Sequence, residues 1–375
     1  MPARKSLDQL VGQLLIFGFE GTGFDGTAQD TRLTALLADT RPAGIILFAR
    51  NIQSPRQTHG LLKSIRRLVE QPFLCVDMEG GAVDRLRDAI APAPSVADVA
   101  AAGRRELFKE HGLIIGAEAR ALGFNVDFAP VLDLRLDGSL NVLGSRTASS
   151  EPPAIVAYAR QFLAGLNDAG ILGCGKHFPG LGEANLDSHF ALPSVEKPWK
   201  NLWAEDLAPY RALARQVPLV MVAHCAYPAV TRDSTPASIS QRWITGVLRK
   251  KIGYRGLVIS DDLEMGGVLA SLPIEEAAIA AIRAGADLFL VCHKEENVRR
   301  CYEAVLRQAE RDVRFRRRVE QAARRVLAFK RKSPALNRRF PAPPSDAAVD
   351  RLRRRIWLLG EQLRAAAGSP ENRPL

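Results

Sequence analysis

The chain has 375 residues, of which 47% are hydrophobic, 25% charged and 6% aromatic, and its formal net charge is +11. This is an ordinary globular composition, which excludes a collagenous, coiled-coil or disordered chain. No apolar run approaches the roughly 18 residues of a membrane span, and the first residues lack the cleavage signature of an export signal, so we expect a cytoplasmic protein without membrane partners.

Eight short apolar runs, rich in β-branched residues, alternate with helical stretches along the chain. They are LLIFGF (14–19), GIILF (44–48), FLCVD (73–77), NVDFAP (125–130), LGCGKHF (172–178), PLVMVAH (218–224), GLVIS (256–260) and DLFLV (287–291). Runs that are apolar on both faces are typical of parallel strands buried on both sides. The segments between them, such as 54–70 and 104–123, have apolar residues at helical spacing. Eight such units predict an α/β fold, namely a (β/α)8 TIM-type barrel. The alternative is a doubly wound sheet, but no GxGxxG motif, which would favour that fold, follows a predicted strand.

We expect the barrel catalytic domain to span residues 1–332, followed by a proline-rich linker at 333–346 and a short helical segment or tail at 347–375. The fold would thus be a barrel with a C-terminal helical, basic extension. The stretch from Ile356 to Leu359 in the last segment is apolar enough to dock on the barrel or on a partner. We expect a monomer.

The positive charge is concentrated near the C-terminus, since residues 299–355 contain 19 Lys or Arg against 6 Asp or Glu. Before the linker, apolar residues recur at helical spacing, which favours an amphipathic helix with a solvated basic face. These residues are Val319, Ala322, Ala323, Val326 and Leu327. A nucleic-acid or anionic-membrane patch is the alternative, but no interleaved aromatics or known binding motif accompany the basic residues. We therefore expect no nucleic-acid partner.

The five cysteines include no CxxC pair, and four of them, Cys75, Cys174, Cys225 and Cys292, lie in apolar segments. This pattern predicts buried reduced thiols and not a zinc site or a disulfide framework. We expect neither a metal nor a cofactor.

Ionisable residues recur where the predicted strands end. They are Asp77, Glu79, Asp133, Arg135, Lys176, His177, His224, Asp261 and Asp262. A barrel of this kind has its active site at the carboxyl ends of the strands, where the following loops converge on one mouth. Taken singly, each residue could instead be a helix cap, a hydrogen-bonded core histidine or a neutralising lysine. Burying all of them at one mouth without a ligand would cost several kcal/mol unless they pair closely, so the pattern predicts an active site.

The stretch KHFPGLGEANLDSHFALP, residues 176–193, has the densest group of reactive side chains. On a turning loop, Asp187 can reach the imidazole of His189, fix its tautomer and stabilise its charged form. Such a pair is a general acid/base unit, because histidine gives and takes a proton near neutral pH. The alternative is an Asx-turn beside an exposed histidine.

A second group of reactive side chains lies in GLVISDDLEMGG, residues 256–267. Adjacent residues near a strand end point in different directions, so only one of Asp261 and Asp262 can aim along the barrel axis. A carboxylate there, facing a proton donor on a loop, suits attack on an anomeric carbon. We expect the other aspartate to cap the following helix.

Taken together, these motifs resemble glycoside hydrolase family 3, and within it the single-domain bacterial β-N-acetylglucosaminidases, also called β-hexosaminidases (EC 3.2.1.52 type). The matching segments, in family order, are LFARN (47–51), VDMEGGAVDRL (76–86), DFAPVLDL (127–134), GKHFPGLGEANLDSH (175–189), AH (223–224) and ISDDLEM (259–265). The resemblance implies a retaining hydrolase that removes non-reducing terminal β-linked N-acetylglucosamine. It also implies a carbohydrate substrate, a glycan or muropeptide, and a role in peptidoglycan recycling.

The resemblance further implies a role for particular residues. Asp261 would be the nucleophile that forms a covalent glycosyl-enzyme, and His189, partnered by Asp187, would be the acid/base. This departs from the usual two-carboxylate scheme of glycosidases, because the proton donor is an imidazole. The residues expected to bind the terminal sugar are Asp77, Arg85, Arg146, Lys176, His177 and His224.

Two positions depart from the family pattern, since Leu181 stands where histidine is usual in PGHG and Ala82 follows EGG where arginine is common. Neither is a proposed catalytic group, so we expect altered loop packing or leaving-group preference and not inactivity. Three rivals remain: a metal-dependent barrel hydrolase, a phosphorylase that intercepts the same intermediate with phosphate, and a sugar-binding protein with little turnover. A metal hydrolase would normally want an HxH pair at the first strand, where GFEGTGF has none.

Overall fold

A closed barrel of eight parallel strands forms the centre of the computed structural model, which describes residues 5–23, 28–184 and 192–367. The strands are β1 Leu15–Phe17, β2 Gly44–Ile46, β3 Phe73–Val76, β4 Val126–Asp127, β5 Leu172–Phe178, β6 Leu219–Val222, β7 Leu257–Asp262 and β8 Leu288–Val291. A two-stranded antiparallel hairpin, Met78–Gly80 with Val83–Asp84, follows β3. The predicted (β/α)8 TIM-type barrel is confirmed.

Each barrel strand pairs with the strands before and after it in the sequence, and β8 closes the barrel against β1, with Ile16 opposite Leu290. This topology brings all eight carboxyl ends to one mouth. Strand β7 continues beyond the apolar run at 256–260, so that Asp261 and Asp262 belong to the strand itself. Both aspartates are therefore positioned by the backbone of a regular strand.

Helices surround the barrel. They are α1 Leu7–Gly12, α2 Ala28–Thr40, α3 Pro55–Leu68, α4 Val96–Ala101, α5 Arg105–Leu122, α6 Pro152–Ala169, α7 Trp199–Ala204, α8 Ala208–Leu213, α9 Pro228–Thr231, α10 Gly266–Leu269, α11 Ile274–Ala284, α12 Glu295–Arg311, α13 Val313–Lys332, α14 Pro334–Asn337 and α15 Asp346–Ala367, with a π-helix at Arg242–Lys251 and 3-10 turns at Ala49–Asn51, Asp137–Ser139, Gly144–Arg146 and Ala237–Ile239. The helices predicted within 54–70 and 104–123 are α3 and α5. Helices α5 and α6 approach closely at Gly112, where a Cβ atom would lie 2.1 Å from the Phe162 carbonyl oxygen. None of the described helices has the length and apolar content that crossing a membrane requires.

The barrel interior is filled with apolar side chains and is not a pore. Its buried residues include Ile16, Ile46, Cys75, Val126, Phe128, Cys174, Leu219, Ile259 and Leu290. All five cysteines are buried and free, as the sequence predicts. The thiols therefore act as core side chains.

The basic C-terminal part of the chain packs on the outside of the barrel. In α13 the predicted apolar face buries Val319, Ala322, Ala323 and Val326, whereas Leu327 is half-buried. Lys330 is buried on the same helix. Its Nζ donates hydrogen bonds to Gln13 Oε1 (3.0 Å) and to the Ala43 carbonyl oxygen (2.8 Å) at the amino end of the barrel. Burial lowers the pKa of Lys330 to about 7.

Helix α15 follows the segment predicted as a linker and packs on α4 and α5. Ile356 and Leu359 are buried on its inner face, while Trp357 is 59% exposed. The predicted apolar stretch is thus divided between two faces of one helix, of which only one contacts the barrel.

Glu118 on α5 is fully buried, and neither of its carboxyl oxygens has a hydrogen-bond partner among the residues that the structure describes. Burial, and then the nearby Asp84, raise the pKa of Glu118 well above the usual 4.5. A group whose pKa is raised by folding destabilises the protein only above its unfolded pKa, and increasingly so as the pH rises towards its folded pKa.

Glu118→Gln is therefore expected to raise the melting temperature at pH 8 by about 2 °C or more, and by less at pH 5. Thermal unfolding followed by circular dichroism measures both values. Glu106→Gln on the same helix is the control, because Glu106 is exposed. An increase of equal size at both pH values would contradict the explanation.

Candidate active site

A pocket of about 330 Å³ opens at the carboxyl ends of the barrel strands. Six of the predicted site residues line it, namely Asp77, Arg85, Arg146, Lys176, His177 and Asp261. A larger cavity of about 730 Å³ lies at the opposite, amino end of the barrel and contains none of them. The mouth pocket has the size of a small-ligand site.

One wall of the pocket is a network of buried ion pairs centred on Glu79. Lys176 Nζ lies 2.7 Å from Glu79 Oε1 and 2.9 Å from Asp77 Oδ1, and the Arg146 guanidinium makes two bonds to Glu79, of 2.8 and 2.9 Å. Burial raises the pKa of Glu79, but Arg146 and Lys176 outweigh it and hold that pKa well below its usual range. Burial likewise opposes the charge on Lys176, but Asp77 and Glu79 raise its pKa above the usual value. Glu79, Lys176 and Arg146 are therefore all charged at neutral pH.

His177 is held by Asp133 from the neighbouring strand end. Its Nδ1 lies 2.7 Å from Asp133 Oδ2, and the backbone N–H of His177 donates to the same carboxylate. Leu181 also donates its backbone N–H to Asp133, at 2.8 Å, and its own side chain is buried. Because Nδ1 is bound to a carboxylate, Nε2 is the ring nitrogen left for a ligand.

Asp261 lies at the end of β7 and lines the pocket. Burial raises the pKa of its carboxyl group, but the His177 imidazole and the backbone N–H of Asp262 lower it, and the net shift is downward from 3.8. Asp261 is thus a carboxylate near neutral pH, which is the state that a nucleophile needs.

His224, predicted to bind the sugar, is fully buried and does not line the pocket. Its Nδ1 lies 2.7 Å from Ser238 Oγ, and its Nε2 lies 2.8 Å from the backbone carbonyl oxygen of Asp262. Burial lowers the pKa of His224, so the ring is neutral and donates its Nε2–H to that carbonyl. Both ring nitrogens are occupied, so His224 holds the backbone beside Asp261 and presents no free nitrogen to a ligand.

The prediction that Asp262 caps the following helix is wrong. Its Oδ1 accepts hydrogen bonds from the backbone N–H groups of Glu264 and Cys292, both at 3.1 Å. Helix α10 begins without a side-chain cap. Asp262 instead connects the end of β7 to the end of β8, because the two strands are neighbours and the carboxylate reaches across.

The pocket lining also contains two rings, Phe48 and His293, that the sequence did not indicate. His293 stacks on Phe48 with 5.7 Å between ring centroids, and its Nε2 lies 3.4 Å from Asp262 Oδ2. The hydrogen bond to Asp262 raises the pKa of His293. The only signal for His293 is that it follows the eighth apolar run, the position shared by the other strand-end residues.

The predicted acid/base pair, Asp187 and His189, lies outside the described residues. The segment that leads to it is anchored at several points. Tyr227 donates its hydroxyl to the Gly180 carbonyl oxygen at 2.7 Å, and Lys197 Nζ lies 2.9 Å from Glu183 Oε1.

A parallel barrel with an ionised carboxylate, paired cations and an imidazole at its carboxyl mouth defines a barrel enzyme for small polar ligands. Residues 6–329 match the family model described as "Glycosyl hydrolase family 3 N terminal domain". The chain belongs to glycosyl hydrolase family 3, which confirms the family indicated by its motifs.

Relatives and solved structures agree with this assignment. A protein named beta-hexosaminidase from Alkalilimnicola ehrlichii is 41% identical over 284 residues, covering 74% of this chain and 81% of that protein. One from Pseudomonas aeruginosa is 38% identical over 268 residues, covering 71% and 79%. The solved family 3 β-N-acetylglucosaminidase from Paenibacillus sp. str. FPU-7 superposes with a TM-score of 0.88 at 33% identity, covering 96% of this chain and 69% of that one. A β-glucoside phosphorylase superposes with a TM-score of 0.82 at 22% identity, which is a likeness of fold alone.

Proposed function

We propose that the protein is a retaining β-N-acetylhexosaminidase that removes non-reducing terminal β-linked N-acetylglucosamine, with peptidoglycan fragments as its physiological substrates. The observation that carries the proposal is the position of Asp261 in a pocket of about 330 Å³ that also contains Lys176, Arg146 and His177, together with the downward shift of its pKa. The names of the curated relatives support the choice of sugar.

In the first step a carboxylate oxygen of Asp261 attacks C1 of the terminal sugar, and the bond from C1 to the aglycone oxygen breaks. His189, stabilised in its charged form by Asp187, gives its proton to that leaving oxygen. In the second step His189 takes a proton from water, the hydroxide forms the new bond to C1, and Asp261 leaves as a carboxylate. Two inversions at C1 give net retention.

The pocket walls offer the sugar two kinds of contact. Asp77, Lys176 and His177 can hydrogen-bond its hydroxyl groups, and the Arg85 guanidinium has no hydrogen bond or ion pair within the described part of the chain. Phe48 and Met265 line another part of the pocket. That apolar surface suits the methyl of an acetamido group.

Hydrolysis of 4-nitrophenyl N-acetyl-β-glucosaminide, with the anomer of the first-formed sugar followed by NMR, tests the proposal. We expect β-N-acetylglucosamine as the first product. Release of sugar 1-phosphate in phosphate buffer would instead make the protein a phosphorylase, and loss of activity on exhaustive chelation would favour a metal-dependent hydrolase. No turnover of this substrate or of a muropeptide would leave a sugar-binding protein.

His189→Ala is expected to lower kcat far less for the nitrophenyl glycoside than for the methyl glycoside, because a good leaving group needs little protonation. The difference should be about tenfold or more. Steady-state kinetics with both substrates measures it. Equal losses with the two leaving groups would remove His189 from the role of acid.

A further inference from the structure

Helix α15 lies beyond the part of the chain that matches the family model, which ends at residue 329. It is nevertheless docked, because it packs on α4 and α5 and buries Val349, Leu352 and Ile356. An ion pair between Arg355 and Glu110, with atoms 2.7 Å apart, joins it to α5. These contacts give α15, although it lies outside the matched residues, a way to act on the barrel.

The helix also touches a loop of the active-site mouth, residues 85–93. Arg353 Nε donates a hydrogen bond of 2.9 Å to the carbonyl oxygen of Ile90, which is itself buried. On the inner side, the Asp84 carboxylate closes the loop by accepting the backbone N–H groups of Leu86 (3.0 Å) and Ala93 (2.9 Å). The loop is thus held from within by Asp84 and from outside by α15.

The same loop carries Arg85, which lines the pocket. Its Nε is buried without a hydrogen-bond partner, and no ion pair holds its guanidinium in the described ranges of the chain. By contrast, Arg146 and Lys176 are fixed by carboxylates. Apart from the Phe48 ring, whose centroid lies 5.9 Å from Arg85 Cζ, the position of Arg85 depends on its backbone. A shift of about 1 Å in a binding group is enough to weaken its contact with a ligand.

We propose that α15 holds loop 85–93 in place and that Arg353 is a positioning residue, which acts through Arg85 on the binding of the terminal sugar. The proposal rests on the proposed function, because its effect is expressed in substrate binding. Asp350 supports the contact, since its Oδ1 lies 3.2 Å from Arg353 Nη1.

The kinetic test uses the full chain. Arg353→Ala is expected to raise KM for the nitrophenyl substrate about fivefold and to leave kcat within about twofold of wild type. Arg353→Lys, which keeps the donor, should recover part of the loss. Arg354→Ala is the matched control, because Arg354 is exposed on the same helix, and should leave both constants unchanged. An unchanged KM in Arg353→Ala would overturn the proposal.

A double-mutant cycle separates positioning from general stabilisation. In an Arg85→Ala background, Arg353→Ala should raise KM no further, because its effect passes through Arg85. Full additivity of the two substitutions would overturn the proposal.

Hydrogen exchange gives a readout that needs no activity. The amides of Leu86 and Ala93, which Asp84 holds, should exchange about tenfold faster in Arg353→Ala than in Arg354→Ala. If these rates are equal, α15 does not hold the loop, whatever the protein hydrolyses. If they differ while every form of the protein is inactive, the proposed function fails and the structural role of Arg353 stands.

Discussion

Asp261→Ala is expected to lower kcat for 4-nitrophenyl N-acetyl-β-glucosaminide by about three to five powers of ten, because it removes the carboxylate that we propose as the nucleophile. Steady-state kinetics measures the loss. Asp233→Ala, in an exposed turn, is the control and should be as active as wild type.

A small anionic nucleophile distinguishes a missing nucleophile from a damaged pocket. With Asp261 absent, azide can enter the vacated space and attack C1 directly as the nitrophenolate leaves. A single inversion then gives the α-glycosyl azide and restores part of the rate. If Asp261→Ala retains wild-type activity, the nucleophile is another group. A β-glycosyl azide product would show that a covalent intermediate still forms on a residue other than Asp261.

Lys176→Met is expected to destabilise the protein by about 3–5 kcal/mol, because it leaves the buried carboxylate of Glu79 and the partly buried carboxylate of Asp77 short of a counter-charge. It should also abolish measurable hydrolysis, since the polar wall of the pocket loses its central cation. Urea unfolding and kcat/KM report the two effects. Lys109→Met is the control, because the Lys109–Asp168 pair is about half exposed on both sides; we expect it to cost at most about 1 kcal/mol.

The pH dependence of the same variant provides a second check. The pKa of Glu79 is lowered by folding, so its stabilising contribution is present above its usual pKa of 4.5 and is lost as the pH falls below that value. Removing Lys176 raises the folded-state pKa of Glu79, so the stability of Lys176→Met should vary less with pH below 4.5. A variant as stable as wild type across the whole range would mean that Lys176 is not a required counter-charge.

The barrel and the position of its site could be predicted from the sequence. Parallel strands buried on both faces appear as apolar runs, and five of the eight runs end in, or are followed by, ionisable residues at the mouth. The partners of those residues could not be predicted. Asp133 reaches His177 across 44 residues, and Glu79 reaches Arg146 across 67. Such pairs depend on the register of the barrel strands and on the length and direction of the side chains, and the local spacing of residues in the sequence predicts neither.

His224 is a residue whose predicted ligand contact is replaced by contacts with distant residues of the chain. Its place at a strand end suggests a ligand contact, but its two ring nitrogens are occupied by Ser238 and by the Asp262 backbone, 14 and 38 residues away. The prediction for Asp262 fails for a related reason, since the donors to its carboxylate include the backbone N–H of Cys292, just after the next strand, as well as that of Glu264 in the chain that follows Asp262. Local sequence favours local partners, whereas a closed barrel supplies distant ones.

The hydrogen bonds made at Asp262 link the ends of neighbouring strands at the pocket mouth. Its carbonyl oxygen is bound to His224 at the end of β6 and its carboxylate to the backbone at the end of β8, so the ends of three consecutive strands are linked beside Asp261, the proposed nucleophile. Evolution towards a new leaving group would then leave these three strand ends unchanged and alter residues in the loops of the mouth. Variation in aglycone preference among homologues should accordingly map to residues outside β6, β7 and β8.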